Sequence, residues 1–220
     1  MKVFSEILDL FFPPRCVFCR RVLRPSEKGL CTACEKALPR PEKGGAQSGD
    51  FFSLCVSALY YEGNVRDSIL RYKFHDAKGY ANTYGRFLAD CIRENLTGRY
   101  DIITWVPLSA RRLKKRGYDQ AMLLAMAACL CLEDAPAELL RKHTDVPAQS
   151  GISGAEGRRA NISGVYDVID EELVRGRRIL LIDDIVTTGA TLSECAKTLR
   201  LYGAEDVVCA TLAKRDKIKS

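Results

Sequence analysis

Two adjacent carboxylates, Asp183 and Asp184, close the short apolar run Arg178-Ile179-Leu180-Leu181-Ile182. Ile185, Val186 and the small, hydroxyl-rich stretch Thr187-Thr188-Gly189-Ala190-Thr191 follow them. Carboxylates accept hydrogen bonds from sugar hydroxyls or hold Mg²⁺ beside a polyphosphate. A helix that starts after the glycine offers unpaired N–H groups and a positive dipole end to a phosphate, and a glycine there lets the backbone approach closely. The acidic pair and the cradle together suit a sugar phosphate. The plainer reading is the strand, turn and helix N-cap of any α/β protein, because Asp and Thr are ordinary residues at such turns. The stretch is neither a Walker A loop nor a dinucleotide fingerprint, since neither pattern occurs in the chain.

Cys16-Val-Phe-Cys19 and Cys31-Thr-Ala-Cys34 form two C-x₂-C knuckles separated by eleven residues. Each knuckle presents two thiolates to one tetrahedral ion, so the spacing suits a structural Cys₄ zinc site. An iron–sulfur cluster is the other reading of four thiolates. Two disulfides fit a reducing compartment poorly, and a redox pair would follow a βαβ unit. Because few apolar residues surround the knuckles, the segment is expected to need metal to fold.

The third constellation is basic. Asp101-Ile-Ile-Thr-Trp-Val106 reads as a buried strand that runs through Pro107, Leu108 and Ser109 into Arg111, Arg112, Lys114, Lys115 and Arg116. Five cations in six positions at a strand end suit a polyphosphate, because parallel sheets bind ligands at the carboxyl ends of their strands. The same cluster suits nucleic-acid phosphates, or a simply solvated charged run. Lys73 reads as a solvated lysine ahead of a ligand for an anionic substrate, and His75 as a surface histidine ahead of a catalytic base.

The elements that must position these groups alternate strand and helix. Strands are expected at Phe52–Tyr61, Asp101–Pro107, Val165–Ile169, Arg178–Ile182 and Asp206–Leu212, and helices at Tyr80–Asn95, Gln120–Leu132 and Leu192–Leu201. Helix 192–201 turns Leu192, Cys195, Ala196 and Leu199 to one face. Pro39–Asp50 reads as a linker or exposed loop, Asp145–Ser163 as a mobile, lid-like loop, and the tail Lys214–Lys219 as disordered. These boundaries divide the chain into residues 1–45, a short helix plus zinc module and linker, and residues 46–220, an α/β domain.

With 220 residues and a net charge of +6, the chain can bury a sizeable core and does not require a polyanionic partner. No run approaches the roughly 20 apolar residues of a membrane span. The apolar start, Val3 to Phe12, is broken by Glu6 and Asp9 and stopped by Pro13-Pro14, which suits a short docked helix rather than a signal peptide. Six of the ten cysteines lie mostly in apolar runs and read as core thiols, which points to a cytoplasmic protein.

The stretch Ile182-Asp183-Asp184-x-x-Thr187-Thr188-Gly189-Ala190-Thr191 resembles the phosphoribosyl pyrophosphate (PRPP) motif of type I phosphoribosyltransferases. With Pro13-Pro14, the four cysteines, Val106-Pro107-Leu108, Arg116-Gly117-Tyr118-x-Gln120, Gln149-x-Gly151 and Arg158-x-x-Asn161, nearly the whole chain resembles the ComF family. Tyr118 and Asp119 stand where that family usually has Phe and Asn, and Ile152 where it usually has Leu. Asp119 places a negative charge beside the basic cluster.

The resemblance implies a type I phosphoribosyltransferase-like, mostly parallel sheet flanked by helices, with an N-terminal zinc module. Asp183 and Asp184 would take the ribose hydroxyls, Thr187 to Thr191 the 5-phosphate, with Ile185 and Val186 also among the binding residues, and Pro107 to Arg112, with Arg111 and Arg112 as cations, the pyrophosphate. Mg²⁺ would accompany PRPP, and a flexible segment would span Arg141 to Asn161. The implied role is DNA uptake in natural transformation, with single-stranded DNA and a helicase-like protein as partners. Two readings follow: a pentosyltransferase of unknown acceptor, or a non-catalytic DNA- or helicase-binding module that keeps the PRPP fold.

Overall fold

The structure, a computed structural model, describes residues 13–143 and 164–215. The apolar start, the whole of the expected lid-like loop with Gln149, Arg158, Arg159 and Asn161, and the tail from residue 216 lie outside the described residues.

In chain order the described elements begin with α1 (Thr32–Ala37), β1 (Leu54–Tyr60), α2 (Gly63–Phe74), α3 (Tyr80–Leu96) and β2 (Ile102–Trp105). Next come α4 (Ala110–Arg116), α5 (Gln120–Leu132), β3 (Leu140–Lys142) and β4 (Tyr166–Val168). The last are α6 (Glu171–Val174), β5 (Arg178–Val186), α7 (Ala190–Leu201) and β6 (Asp206–Lys214). Four strands form one parallel sheet in the order β1-β6-β5-β2, while β3 and β4 pair antiparallel in a separate ribbon. The expected strand at Val165–Ile169 therefore belongs to that ribbon and not to the main sheet.

The apolar runs of β5 and β6 are continuous because both faces of the sheet are covered. Leu180, Ile182, Val208, Ala210 and Leu212 pack on the side of α2, α3, α5 and the cysteine module. Ile179, Leu181, Val207 and Cys209 pack on the side of α7 and the ribbon. Alternate residues of a strand point to opposite faces, and here both sets find a core. At the crossing of α3 and α5, a Cβ on Gly85 would lie 2.6 Å from the Ala127 carbonyl carbon, so only glycine admits that approach.

Three expectations are corrected. Residues 39–50 are not an exposed linker: Gln47 exchanges two backbone hydrogen bonds with Cys55, and Lys214 Nζ donates to the Gly45 carbonyl at 2.8 Å. The segment thereby covers the open edge of β1, which an unpaired strand edge favours. Lys214 accordingly ends β6 and is not part of a loose tail. Arg141 and Lys142, expected in a flexible segment, form β3. None of the ten cysteines is in a disulfide, and Cys55, Cys91, Cys129, Cys195 and Cys209 are buried while Cys131 is half-buried.

Candidate ligand cleft and zinc module

The four cysteine sulfurs lie within 4.8 Å of one another, with Cys16, Cys31 and Cys34 buried and Cys19 exposed. Four sulfurs about 2.3 Å from one zinc ion stand about 3.8 Å apart along the edges of the tetrahedron. The Cys19 and Cys31 sulfurs are 3.7 Å apart, so the residues fit a structural zinc ion. Burial, then the neighbouring sulfurs, push the Cys34 thiol above its ordinary value, a tension that a cation among the sulfurs relieves. Glu27 ties the connecting loop down by accepting from Arg24 N and Thr32 N, both at 2.9 Å, and from Arg21 at 2.7 Å. Val17, Phe18 and Leu23 join the main core, so the module is seated on the α/β body.

Asp183 and Asp184 stand inside β5, which continues to Val186, and not in a loop beyond its end. The register explains their access. β2 pairs only with Ile179–Ile182, so one flank of the strand is open from Asp183 onward, while Asp183 lies opposite Thr211 of β6. Asp184 is buried, its Oδ1 lies 2.8 Å from Lys73 Nζ, and its Oδ2 is a buried atom without a hydrogen-bond partner. Lys73 is thus no solvated lysine; α2 aims it at the acidic pair. Asp183 accepts from Asp184 N at 2.8 Å, and burial, then the charge of Asp184, push its carboxyl up to about 8.

A cleft of about 200 Å³ opens above these carboxylates. Pro107, Leu108 and Ser109 form one wall, and Arg112 and Arg116 of α4 add charge to it. From Ala110 onward the expected pyrophosphate loop is helical, and Arg111 is exposed without lining the cleft. The ribbon supplies Lys142 and Tyr166, with Lys142 Nζ 3.3 Å from the Tyr166 hydroxyl. A smaller hollow of about 30 Å³ adjoins it, lined by Asp183 and Ile185 to Leu192. There Gly189, at φ +83°, caps α7 in the left-handed region that favours glycine, and Thr188 Oγ1 accepts from Ala190 N at 3.3 Å.

Asp119 is a brace and not a ligand. Its Oδ1 accepts from Ala121 N at 2.9 Å and Met122 N at 3.0 Å, capping α5, while its Oδ2 accepts from Leu108 N at 2.9 Å. Burial raises its pKa although all three N–H groups favour the charged form. Of the other cleft residues, Lys142 and Tyr166 are ones that sequence reading does not single out, because nothing local to them marks a ligand, whereas Lys73 reads as solvated and Gln120 enters only through the family motif. Arg116, the last residue of α4, belongs to the basic cluster that the strand-end rule already marks.

Residues 133–219 match the phosphoribosyl transferase domain family, and residues 7–50 match the double zinc ribbon domain family. Competence protein F of Haemophilus influenzae is 29% identical over 227 residues, covering 93% of this chain and 98% of that protein. Competence protein ComFC of Bacillus subtilis is 26% identical over 205 residues, covering 81% of this chain and 80% of that protein. Together these matches support a ComF family protein. Its zinc ribbon is the Cys16, Cys19, Cys31 and Cys34 module, and its parallel sheet flanked by helices is the body of the phosphoribosyl transferase-type fold. Among solved structures, the glutamine PRPP amidotransferase from B. subtilis, complexed with ADP and GMP, aligns at a TM-score of 0.46 and 17% identity. That alignment covers 64% of this chain and 30% of the larger enzyme. Among the described residues, no helix is long and apolar enough to cross a membrane.

Proposed function

We propose that the cleft binds PRPP with Mg²⁺ and that the protein acts in DNA uptake, as a phosphoribosyltransferase whose acceptor is still to be identified. One observation carries the ligand reading. The adjacent carboxylates line a cleft whose walls carry three cations, Arg112, Arg116 and Lys142, and the glycine-capped helix start lines the hollow that adjoins it, with Asp183 and Thr191 common to both. The carboxylates suit ribose hydroxyls, the Thr187 to Thr191 backbone suits a 5-phosphate, and the cationic wall suits pyrophosphate.

Asp184 is engaged by Lys73 and enclosed, so Asp183 is the protein carboxylate best able to touch a divalent ion. That fits Mg²⁺, which keeps several waters and takes one or two carboxylates beside substrate phosphates. Bound there, Mg²⁺ would neutralise charge on the pyrophosphate. In the transfer itself, the bond from ribose C1 to the pyrophosphate oxygen breaks and an acceptor bonds to C1. Arg112 and Arg116 hold the departing anion, and the carboxylates orient the ribose. The DNA-uptake role is supported by the relatives named as competence proteins, and single-stranded DNA and a helicase-like protein are the partners it suggests.

A non-catalytic nucleic-acid module is the second reading. The exposed cations Arg111, Lys114 and Lys115, which do not line the cleft, favour it.

Isothermal titration of PRPP with Mg²⁺ into the wild type and into an Asp183→Ala, Asp184→Ala double variant tests the ligand reading. Saturable heat from the wild type that the variant loses is expected. No heat from zinc-loaded wild type would sink it, and binding without pyrophosphate release for any acceptor would favour the second reading.

A further inference from the structure

The last two turns of α2 touch both the zinc module and the cleft. Val17 and Phe18 are the two residues enclosed by the first C-x₂-C knuckle, and the carbonyls of both accept from Arg71 Nη2, at 2.9 and 2.7 Å. Ser68 Oγ donates to the Val17 carbonyl as well, and it also bonds the Tyr84 hydroxyl. Next along the helix, the Tyr72 hydroxyl donates to the Gln120 carbonyl at 2.9 Å, at the start of α5. Lys73 then reaches Asp184 at 2.8 Å. Three consecutive side chains therefore tie the knuckle, the helix behind the basic wall and the acidic pair to one turn.

We propose that the zinc knuckle sets the geometry of the cleft through α2, with Arg71 as the anchor and Lys73 as a positioning residue for Asp184. Arg71 is partly enclosed and its Nε already lacks a partner, so its charge depends on the two knuckle carbonyls. A part-buried cation stripped of its acceptors carries a desolvation cost. If the knuckle loses its ion and its backbone turn, the Arg71 guanidinium must move to find other acceptors or water. Lys73, two residues on, moves with the helix end. Asp184 then loses its cation while Oδ2 is already unpartnered. The two sites are thereby coupled through a shared rigid element rather than through direct contact.

The affinity arm of the test rests on the cleft binding PRPP; the exchange arm does not. PRPP binding in the presence of Mg²⁺ is measured by titration calorimetry on the full chain, zinc-loaded, chelator-stripped and zinc-restored. Zinc removal is expected to weaken binding about tenfold, reversibly, a typical size for coupling between sites. Zinc-loaded Arg71→Met is expected to retain its metal yet bind PRPP as weakly as the stripped wild type, and Arg71→Lys, which still donates to the carbonyls, to recover most of the affinity. Lys73→Met is itself expected to bind weakly, and stripping should then add less than about twofold, the margin for independent effects. In the second arm, amide hydrogen exchange of residues 71–75 is compared with and without zinc, and it should speed up on stripping. Should the stripped protein unfold, zinc-loaded Arg71→Met decides both arms, with exchange at 71–75 expected to be faster than in wild type.

Unchanged exchange at 71–75 would overturn the proposal, as would PRPP affinity within twofold in the folded stripped protein or in Arg71→Met, or an equal loss on stripping in Lys73→Met and wild type. If zinc-loaded wild type gives no PRPP heat while exchange at 71–75 responds to zinc, the ligand reading fails and the coupling stands.

Discussion

Removing the Asp119 carboxylate tests whether the loop wall of the cleft is held by a single side chain. In Asp119→Ala the α5 N-cap is lost, a change worth about 1 kcal/mol. The Leu108 N–H, which is part-buried, also loses its acceptor, adding about 1–2 kcal/mol. Relief from burying a carboxylate that is only 7% exposed, whose raised pKa marks the strain, offsets part of this. The net expectation is a loss of about 2 kcal/mol in urea unfolding, equivalent to roughly 4–8 °C in midpoint for a protein of this size.

The functional consequence is sharper. Freed from Asp119, the Pro107–Ser109 wall should bind inorganic pyrophosphate more weakly, whereas ribose 5-phosphate, read by Gly189 and its neighbours, should bind as before. Asp119→Asn separates the two roles, because an amide can cap α5 with its oxygen but turns a donor toward Leu108 N. It should keep most of the cap and still lose pyrophosphate affinity. Both calorimetric affinities falling together, or unfolding free energy within about 0.5 kcal/mol of wild type in Asp119→Ala, would refute the brace.

Three further outcomes are expected. Gly85→Ala gains about 1 kcal/mol of helix propensity but drives a Cβ to 2.6 Å from Ala127, so thermal unfolding should report a net loss of about 1–3 kcal/mol; a stabilised variant would contradict the helix crossing. Asp101 is held at a pKa of about 2 by the Arg178 side chain and then its backbone N–H, so its contribution is complete above the unfolded carboxylate value of about 3.9 and is lost as pH falls through about 2. Asp101→Asn should therefore flatten that part of the acid limb of stability against pH, and an unaltered limb would remove the pair from the account. Elemental analysis of freshly purified protein should find one zinc per chain, with Cys31→Ser depleting zinc and lowering the melting midpoint; iron in its place would make the module a cluster site.

What the residues determine by themselves is what a few neighbouring positions encode. The C-x₂-C spacing requires no knowledge of the fold to suit a tetrahedral ion. The helix at Gln120–Leu132 is legible to its ends, because Asp119 supplies a local cap and an apolar run follows. The strand at Arg178 is legible too, but its length is not: Asp183 and Asp184 read as turn residues, and only pairing with β6 through Val186 keeps them in the strand. The edge-covering role of residues 39–50 is equally invisible locally, since Gly- and Pro-rich composition describes loops whether or not a strand edge lies beneath them.

Contacts between distant positions belong to the tertiary structure alone. Lys73 looks like any solvated lysine until α2 is packed so that its last turn points at β5, and Asp119 looks like an intrusive charge until Leu108 N is found on its second oxygen. Lys142 and Tyr166 reach the cleft only because β3 and β4 fold back as a ribbon outside the main sheet. Periodicity and turn chemistry act over a few residues, so they specify elements. The electrostatics of the cleft arise from charges that packing brings together, and packing is settled by the fold as a whole.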